Sequence, residues 1–219
     1  MNPMNTAQVP VPSEPKPETL VRSTNEGEPT AVQLALDFLG RRFSVGPKYL
    51  VQPAPSTDEL FQAACVSLRA PDHGNLQPFR FVQVRNRQRE RLGDLFAADA
   101  AQRGQTPVEV ERARARAGNG PALLALIGTL RSDVPDVPVH EQWLCIGAGL
   151  MNFLNGLHLQ GYGAKTLSGA SIDSPEIQAA FCDKGERLLA WIVVGTPART
   201  AHGKRIDDAS RVLTDWPAR

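Results

Sequence analysis

The chain has 219 residues, in which 24 Lys and Arg nearly cancel 23 Asp and Glu to leave a formal charge of +1. A chain of that length buries enough apolar surface to fold as one medium-sized domain without disulfides or a structural metal. The balanced charge argues against nucleic acid or an anionic membrane as partner, and with only two Tyr there is little material for stacking on bases.

Cys65, Cys145 and Cys182 are odd in number and far apart. They suit neither a disulfide framework nor a metal site, so a reducing, cytoplasmic compartment is expected. No apolar run reaches the roughly 18 residues of a membrane span, and the N-terminus has no apolar signal core. Residues 1–28 hold Pro10, Pro12, Pro15 and Pro17 among polar residues. They read as a disordered tail, or as an arm laid on a partner, ahead of a single domain over 29–219.

Thr30 reads as the N-cap of a helix with Val32, Ala35, Leu36 and Leu39 on one stripe, running into Arg41 and Arg42. A loop leads to Pro55, where Ser56 and Glu59 have capping-box spacing ahead of Leu60, Phe61, Ala64, Cys65 and Leu68. The segment RAPDHGNLQP over 69–78 is a loop by its Pro, Gly, Asp and Asn content. A strand over 79–84 precedes two polar helices near 87–103 and 107–117, the second opening on Pro107. The apolar run 121–129 reads as a buried strand. The 141–160 segment predicts a helix apolar almost all round, placed in a large core or at a subunit interface. A short extended piece over 162–168, a helix capped by Ser174 with Pro175 behind it, and a strand over 188–194 complete the order. Neither regular βαβ alternation nor a run of hairpins results, which predicts an α+β fold of one sheet covered by helices.

Motifs for several chemistries are missing. No GxGxxG follows a strand, and Gly118-Asn119-Gly120 lacks both the third glycine and the preceding strand. There is no phosphate loop, no HExxH, no clustering of the four histidines and no GxSxG elbow. Any chemistry is therefore expected to reside on a bound organic cofactor.

Four segments, taken in order, resemble the nitroreductase family of flavoproteins, in particular its small bacterial members. Arg41-Arg42-Phe43-Ser44 resembles the RRS signature after the first helix. Residues 69–79, RAPDHGNLQPF, are similar to the AP-x-x-x-N-x-QPW loop and are the most specific of the four. The apolar helix ending in Gly161-Tyr162-Gly163, followed by Ser168-Gly169-Ala170, resembles the long central helix and its turn. Gly195-Thr196-Pro197 with Lys204-Arg205 resembles the closing strand and basic tail.

The resemblance implies a mainly antiparallel sheet flanked by helices, an intertwined homodimer, and FMN held between the subunits. Arg41, Arg42 and Arg205, with Lys204 as a point charge, would then bind the FMN phosphate, a dianion that guanidinium groups grip through paired hydrogen bonds. Taken alone, Arg41 and Arg42 are equally cations favoured by a helix C-terminus, and Lys204 and Arg205 are solvated tail charges. Ser44 would reach the phosphate or the pyrimidine edge. Arg69, His73 and Asn75 would approach the flavin of the other subunit. Thr166, Leu167, Ser168 and Gly169 would cover one side of the isoalloxazine, with a backbone N–H near Ser168 or Gly169 approaching N5, so that no catalytic side chain is needed. Two departures stand out: Thr166-Leu167 replaces the small subgroup's Trp-Arg, and the 41–53 loop is about three residues longer.

The implied activity is hydride transfer from NADH or NADPH through FMN to a small planar acceptor such as a nitroaromatic, quinone or enone. The alternatives are a specialised member performing flavin breakdown, dehalogenation or aldehyde reduction, and a flavin-binding protein without turnover.

Overall fold

A computed structural model describes residues 29–198 and 208–216. The 1–28 tail and the basic pair Lys204-Arg205 lie outside the described residues. The chain divides into two units, residues 1–38 and 39–219. The first contains most of helix α1, Ala31–Gly40. As its sequence predicts, Thr30 caps it: Thr30 Oγ1 accepts from Gln33 N at 3.1 Å and Gln33 Oε1 accepts from Thr30 N at 2.7 Å.

The second unit contains β1 (Leu50–Val51), α2 (Thr57–Ser67), β2 (Phe79–Val84), α3 (Asn86–Gln102), α4 (Pro107–Ala115), β3 (Ala122–Thr129), α5 (Val139–Leu159), β4 (Gly163–Leu167), α6 (Pro175–Phe181) and β5 (Glu186–Pro197). Every strand pairing is antiparallel. β5 is central, pairing with β3 on one side and β4 on the other, while β2 lies outside β3 and β1 extends the sheet at the end of β5. The fold is α+β, as predicted.

The two middle strands show why an unbroken apolar run is needed here. Successive strand residues face opposite sides of a sheet. Leu123, Ala125 and Ile127 of β3, with Trp191 and Val193 of β5, join one core with Leu92 and Phe96 of α3. Their neighbours Leu124, Leu126, Ile192 and Val194 join a second core with Phe153 and Leu157 of α5. Both faces are covered, so neither strand can alternate with polar residues. Each fully buried Leu or Ile contributes about 1.5–3 kcal/mol.

Two contacts draw α5 close to its neighbours. A Cβ on Gly156 would stand 3.0 Å from the Ala63 Cα of α2, and one on Gly149 would stand 2.3 Å from the Phe79 ring. Helix α5 buries Cys145, Ile146, Phe153 and Leu157 but leaves Leu144, Met151 and Leu159 exposed.

Boundaries differ from the sequence reading in explicable places. Strand β5 runs beyond 188–194 at both ends because Glu186 and Arg187 pair with β3, and Thr196 and Pro197 pair with β1. Ser174 precedes α6 as expected, yet its hydroxyl donates to Glu176 Oε2 at 3.0 Å rather than capping a backbone N–H.

Candidate functional site

The Arg41–Ser44 run leaves α1 and meets the sheet edge directly. Arg42 N donates to Leu39 O at 3.1 Å, closing the last turn. Ser44 then makes an isolated parallel bridge to Ala164, and Val45 N donates to Ala164 O at 3.0 Å. Val45, only 3 % exposed, packs where Gly163 has no side chain: a Cβ there would lie 2.8 Å from Val45 Cγ2 and 3.0 Å from Leu50 Cδ2. One buried valine and one backbone hydrogen bond thus fix this run alongside β4, the strand that carries Thr166 and Leu167. Arg42 is half-buried, and Arg41 and Ser44 are exposed.

The ladder between β4 and β5 ends at the pair Leu167 and Trp191. Ser168 and Gly169 lie past that last pair and line a cavity of about 300 Å³. Its apolar wall comes from Phe96 of α3, Leu123 of β3, and Trp191 and Val193 of β5. Phe96 and Trp191 meet edge to face, their ring centres 5.4 Å apart. The Trp191 indole N–H is buried without a hydrogen-bond partner.

Arg116 and Asn119 supply the polar part of the lining, together with Ser168 and Ser171. Both precede β3, Arg116 in the 3-10 turn Arg116–Gly118, and neither is among the flavin-binding residues expected from the sequence. Their loop is braced from below by Arg89 of α3, which donates to the carbonyls of Ala117 (3.1 Å), Asn119 (3.3 Å), Gly120 (3.0 Å) and Pro121 (3.2 Å). Burial pulls the Arg89 guanidinium below its usual pKa, although arginine stays protonated in proteins. No local sequence signal identifies such a brace, because its partners are main-chain carbonyls.

The second predicted group lies elsewhere. Arg69 follows α2, and His73 and Asn75 belong to the turn His73–Asn75; all three are exposed. The loop is built rather than slack. Gly74 (φ 75°), Asn75 (φ 55°) and Gln77 (φ 46°) occupy left-handed backbone, which strains residues other than glycine by about 1–3 kcal/mol unless their surroundings enforce it. The Asp72 carboxylate does so, accepting from Leu76 N at 3.1 Å and Gln77 N at 2.8 Å. Gly74 is further required because a Cβ would meet Val137 Cγ2 at 2.9 Å. His73 Nδ1 lies 2.6 Å from Glu141 Oε2 in the first turn of α5.

Within one chain these groups do not converge. β5 and β3 separate β4 from β2, the strand that the 69–78 loop enters. Three strand spacings put them on the order of 14 Å apart. The structure therefore unites Arg42, Ser44 and Thr166–Gly169 along one edge and leaves Arg69, His73 and Asn75 at the other.

A smaller hollow of about 170 Å³ between β2, α3 and α6 contains none of these residues. Among the described residues no group of three His, Cys, Asp or Glu could hold a metal, and no helix is long and apolar enough to cross a membrane. All three cysteines are free. Burial raises the thiol pKa of Cys145 and of Cys182, which keeps both unreactive.

Comparison with known proteins bears on the family and the fold. The model of the nitroreductase family matches residues 39–196. The "Putative NAD(P)H nitroreductase YdjA" of Escherichia coli (strain K12) is 28 % identical over 164 residues, covering 74 % of this chain and 88 % of that one. The nitroreductase-like family protein from Bacillus cereus superposes with a TM-score of 0.67 at 18 % identity, over 84 % of this chain and 96 % of that one. A "putative nitroreductase in complex with fmn" from Desulfovibrio desulfuricans gives a TM-score of 0.61 at 21 % identity, over 84 % of this chain and 98 % of that one.

Proposed function

This chain belongs to the nitroreductase family, and from that premise we propose that it is an FMN-dependent oxidoreductase. It would draw reducing equivalents from NADH or NADPH and deliver them to a small planar acceptor such as a nitroaromatic, quinone or enone. The observation that carries the reading is the Ser44–Ala164 bridge with the hydrogen bond from Val45 N to Ala164 O. It holds a paired-arginine run beside the strand whose end borders an aromatic-walled cavity. A cationic end and a ring-sized apolar end are what a phosphate-bearing flavin requires.

The residues fit FMN. Arg41 and Arg42 are the described candidates for its phosphate, with Ser44 as a neutral hydrogen-bonding group and Lys204 and Arg205 as proposed contributions from the tail. Half-burial of Arg42 strengthens its attraction for an anion relative to a fully solvated cation. Thr166, Leu167, Ser168 and Gly169 would underlie the ring, and the Ser168 and Gly169 N–H groups are free of the β4–β5 ladder to donate to its edge. Phe96, Leu123 and Val193 keep water from that side. When bound, the flavin supplies the two-electron chemistry that no side chain here provides.

The reading includes a homodimer with FMN between subunits, in which Arg69, His73 and Asn75 of a second chain would complete the site, since within one chain β5 and β3 stand between their loop and β4. Exposed apolar residues on the packed pair α2 and α5, Phe61 (66 %), Leu144 (69 %) and Leu159 (57 %), support an interface there. The three free cysteines support a cytoplasmic setting.

The test is turnover with sedimentation. Protein reconstituted with FMN is expected to oxidise NADH or NADPH when a nitroaromatic, quinone or enone is added, and to sediment as a dimer. FMN-loaded protein that oxidises neither nucleotide with any such acceptor contradicts the activity, and a monomer that still turns over contradicts the shared site.

A further inference from the structure

The cavity beside Ser168 and Gly169 has a chemistry of its own. Among the described residues its walls are aromatic and apolar, its lining contains no Asp or Glu, and Arg116 is its cation. The stretch Thr166–Gly169 carries neither an aromatic ring nor a charge, so both features arrive from distant parts of the chain. Trp191 brings the ring from β5 and Arg116 brings the charge from the turn before β3. Arg116 forms no ion pair among the described residues, whereas Arg114 two residues earlier pairs with Asp94 and Glu111. Asn119, half-buried beside it, is held through the carbonyl bonds of Arg89 and by Asn119 N donating to Arg116 O at 3.0 Å.

Arg116 is exposed and without an ion pair among the described residues, and a guanidinium so placed in the lining of an aromatic-walled cavity suits a flat ligand with an electron-rich oxygen at one edge. We propose that Arg116 and Asn119 form a recognition end for the carbonyl- or carboxylate-bearing edge of a planar conjugated ring in this cavity. This deepens the flavin reading and rests on it, since the imide edge of the isoalloxazine is the first source of that chemistry. An acceptor carrying an aromatic carboxylate is the second. Arg116 would thereby give the pocket a preference for oxygen-rich and anionic rings that its apolar walls alone cannot supply.

The experiment compares the wild type with Arg116→Ala, Arg116→Lys and Arg42→Ala. Each flavin-free protein is titrated with FMN and with riboflavin, which lacks the phosphate, by quenching of flavin fluorescence. Reconstituted enzymes are then assayed with 4-nitrobenzoate and with nitrobenzene. A lost charge-assisted hydrogen bond is expected to weaken both flavins by roughly tenfold or more in Arg116→Ala, with partial recovery in Arg116→Lys. Arg42→Ala should weaken FMN much more than riboflavin, which places the two arginines at opposite ends of the ligand. Unchanged flavin affinity with a raised KM for 4-nitrobenzoate alone supports the same recognition end and assigns it to the acceptor. Flavin affinities and both KM values all within twofold of wild type in Arg116→Ala overturn the proposal. If the wild type binds no flavin, the flavin reading itself fails. Direct calorimetric titration with 4-nitrobenzoate then decides, and equal affinity in wild type and Arg116→Ala overturns the recognition end.

Discussion

Replacing Gly163 by alanine tests how the arginine run is held against β4. The added Cβ would lie 2.8 Å from Val45 Cγ2, 3.0 Å from Leu50 Cδ2 and 3.1 Å from Pro197 Cγ. All three are closer than ordinary carbon contacts of about 3.5–4.0 Å. Val45 and Leu50 are 3 % and 5 % exposed, so neither can swing into solvent without exposing apolar surface. Each must retreat by roughly half an ångström or more, and overpacking of this kind costs about 1–3 kcal/mol. Because Val45 bears the closest contact, Val45→Ala should relieve much of the strain. The double variant is then expected to lose at least about 1 kcal/mol less than the two single losses added together. Urea unfolding followed by Trp fluorescence measures each member of the cycle. The single variant should also bind FMN more weakly, since Val45 N anchors the run to Ala164. A Gly163→Ala protein of wild-type stability, or a cycle that is strictly additive, would refute the packing that holds the site.

Three further predictions concern the frame around the site. Glu186 pairs bidentately with Arg80, which lowers its carboxyl pKa from 4.5 to about 2. A depressed carboxylate stabilises the fold above its unfolded value and loses that contribution as pH falls through the folded one. Glu186→Gln should therefore cost about 1–2 kcal/mol at pH 7, a figure reduced for the partial exposure of Arg80. That difference should vanish near pH 2, and a penalty independent of pH in urea titrations would refute it. Arg89→Met strips four carbonyls of their donor and should cost about 2–3 kcal/mol, with Arg89→Lys recovering only part because one ammonium cannot span them. Equal stability of Met and wild type in the same assay would contradict the brace. Gly149→Ala drives a Cβ to 2.3 Å from the Phe79 ring, so a loss of about 2–3 kcal/mol is expected. An unchanged melting temperature would show that α5 does not sit that close to β2.

How much of this was legible in the residues depends on whether the signal is local. The capping pair Ser56 and Glu59, confirmed by hydrogen bonds of 3.2 and 2.7 Å, is a property of four consecutive residues. The 121–129 run could be read as a strand because burial on both faces removes every polar position. The RRFS run and the RAPDHGNLQP loop could be picked out by resemblance, and the family match and fold agree with that reading. Arg116, Asn119 and Arg89 could not be found this way. Their role depends on which strand end the 116–121 loop faces, a tertiary fact with no periodicity to announce it. Likewise the pairing of His73 with Glu141 at 2.6 Å spans 68 residues and has no local signature.

In the proposed function, FMN lies along the edge where Arg42 and Ser44 meet β4. The most direct measurement is the visible absorption spectrum of the purified protein, followed by denaturation and identification of any released flavin. A yellow protein, or one that turns yellow on addition of FMN, is expected, releasing FMN at close to one per chain. A colourless protein that takes up no added FMN would contradict it.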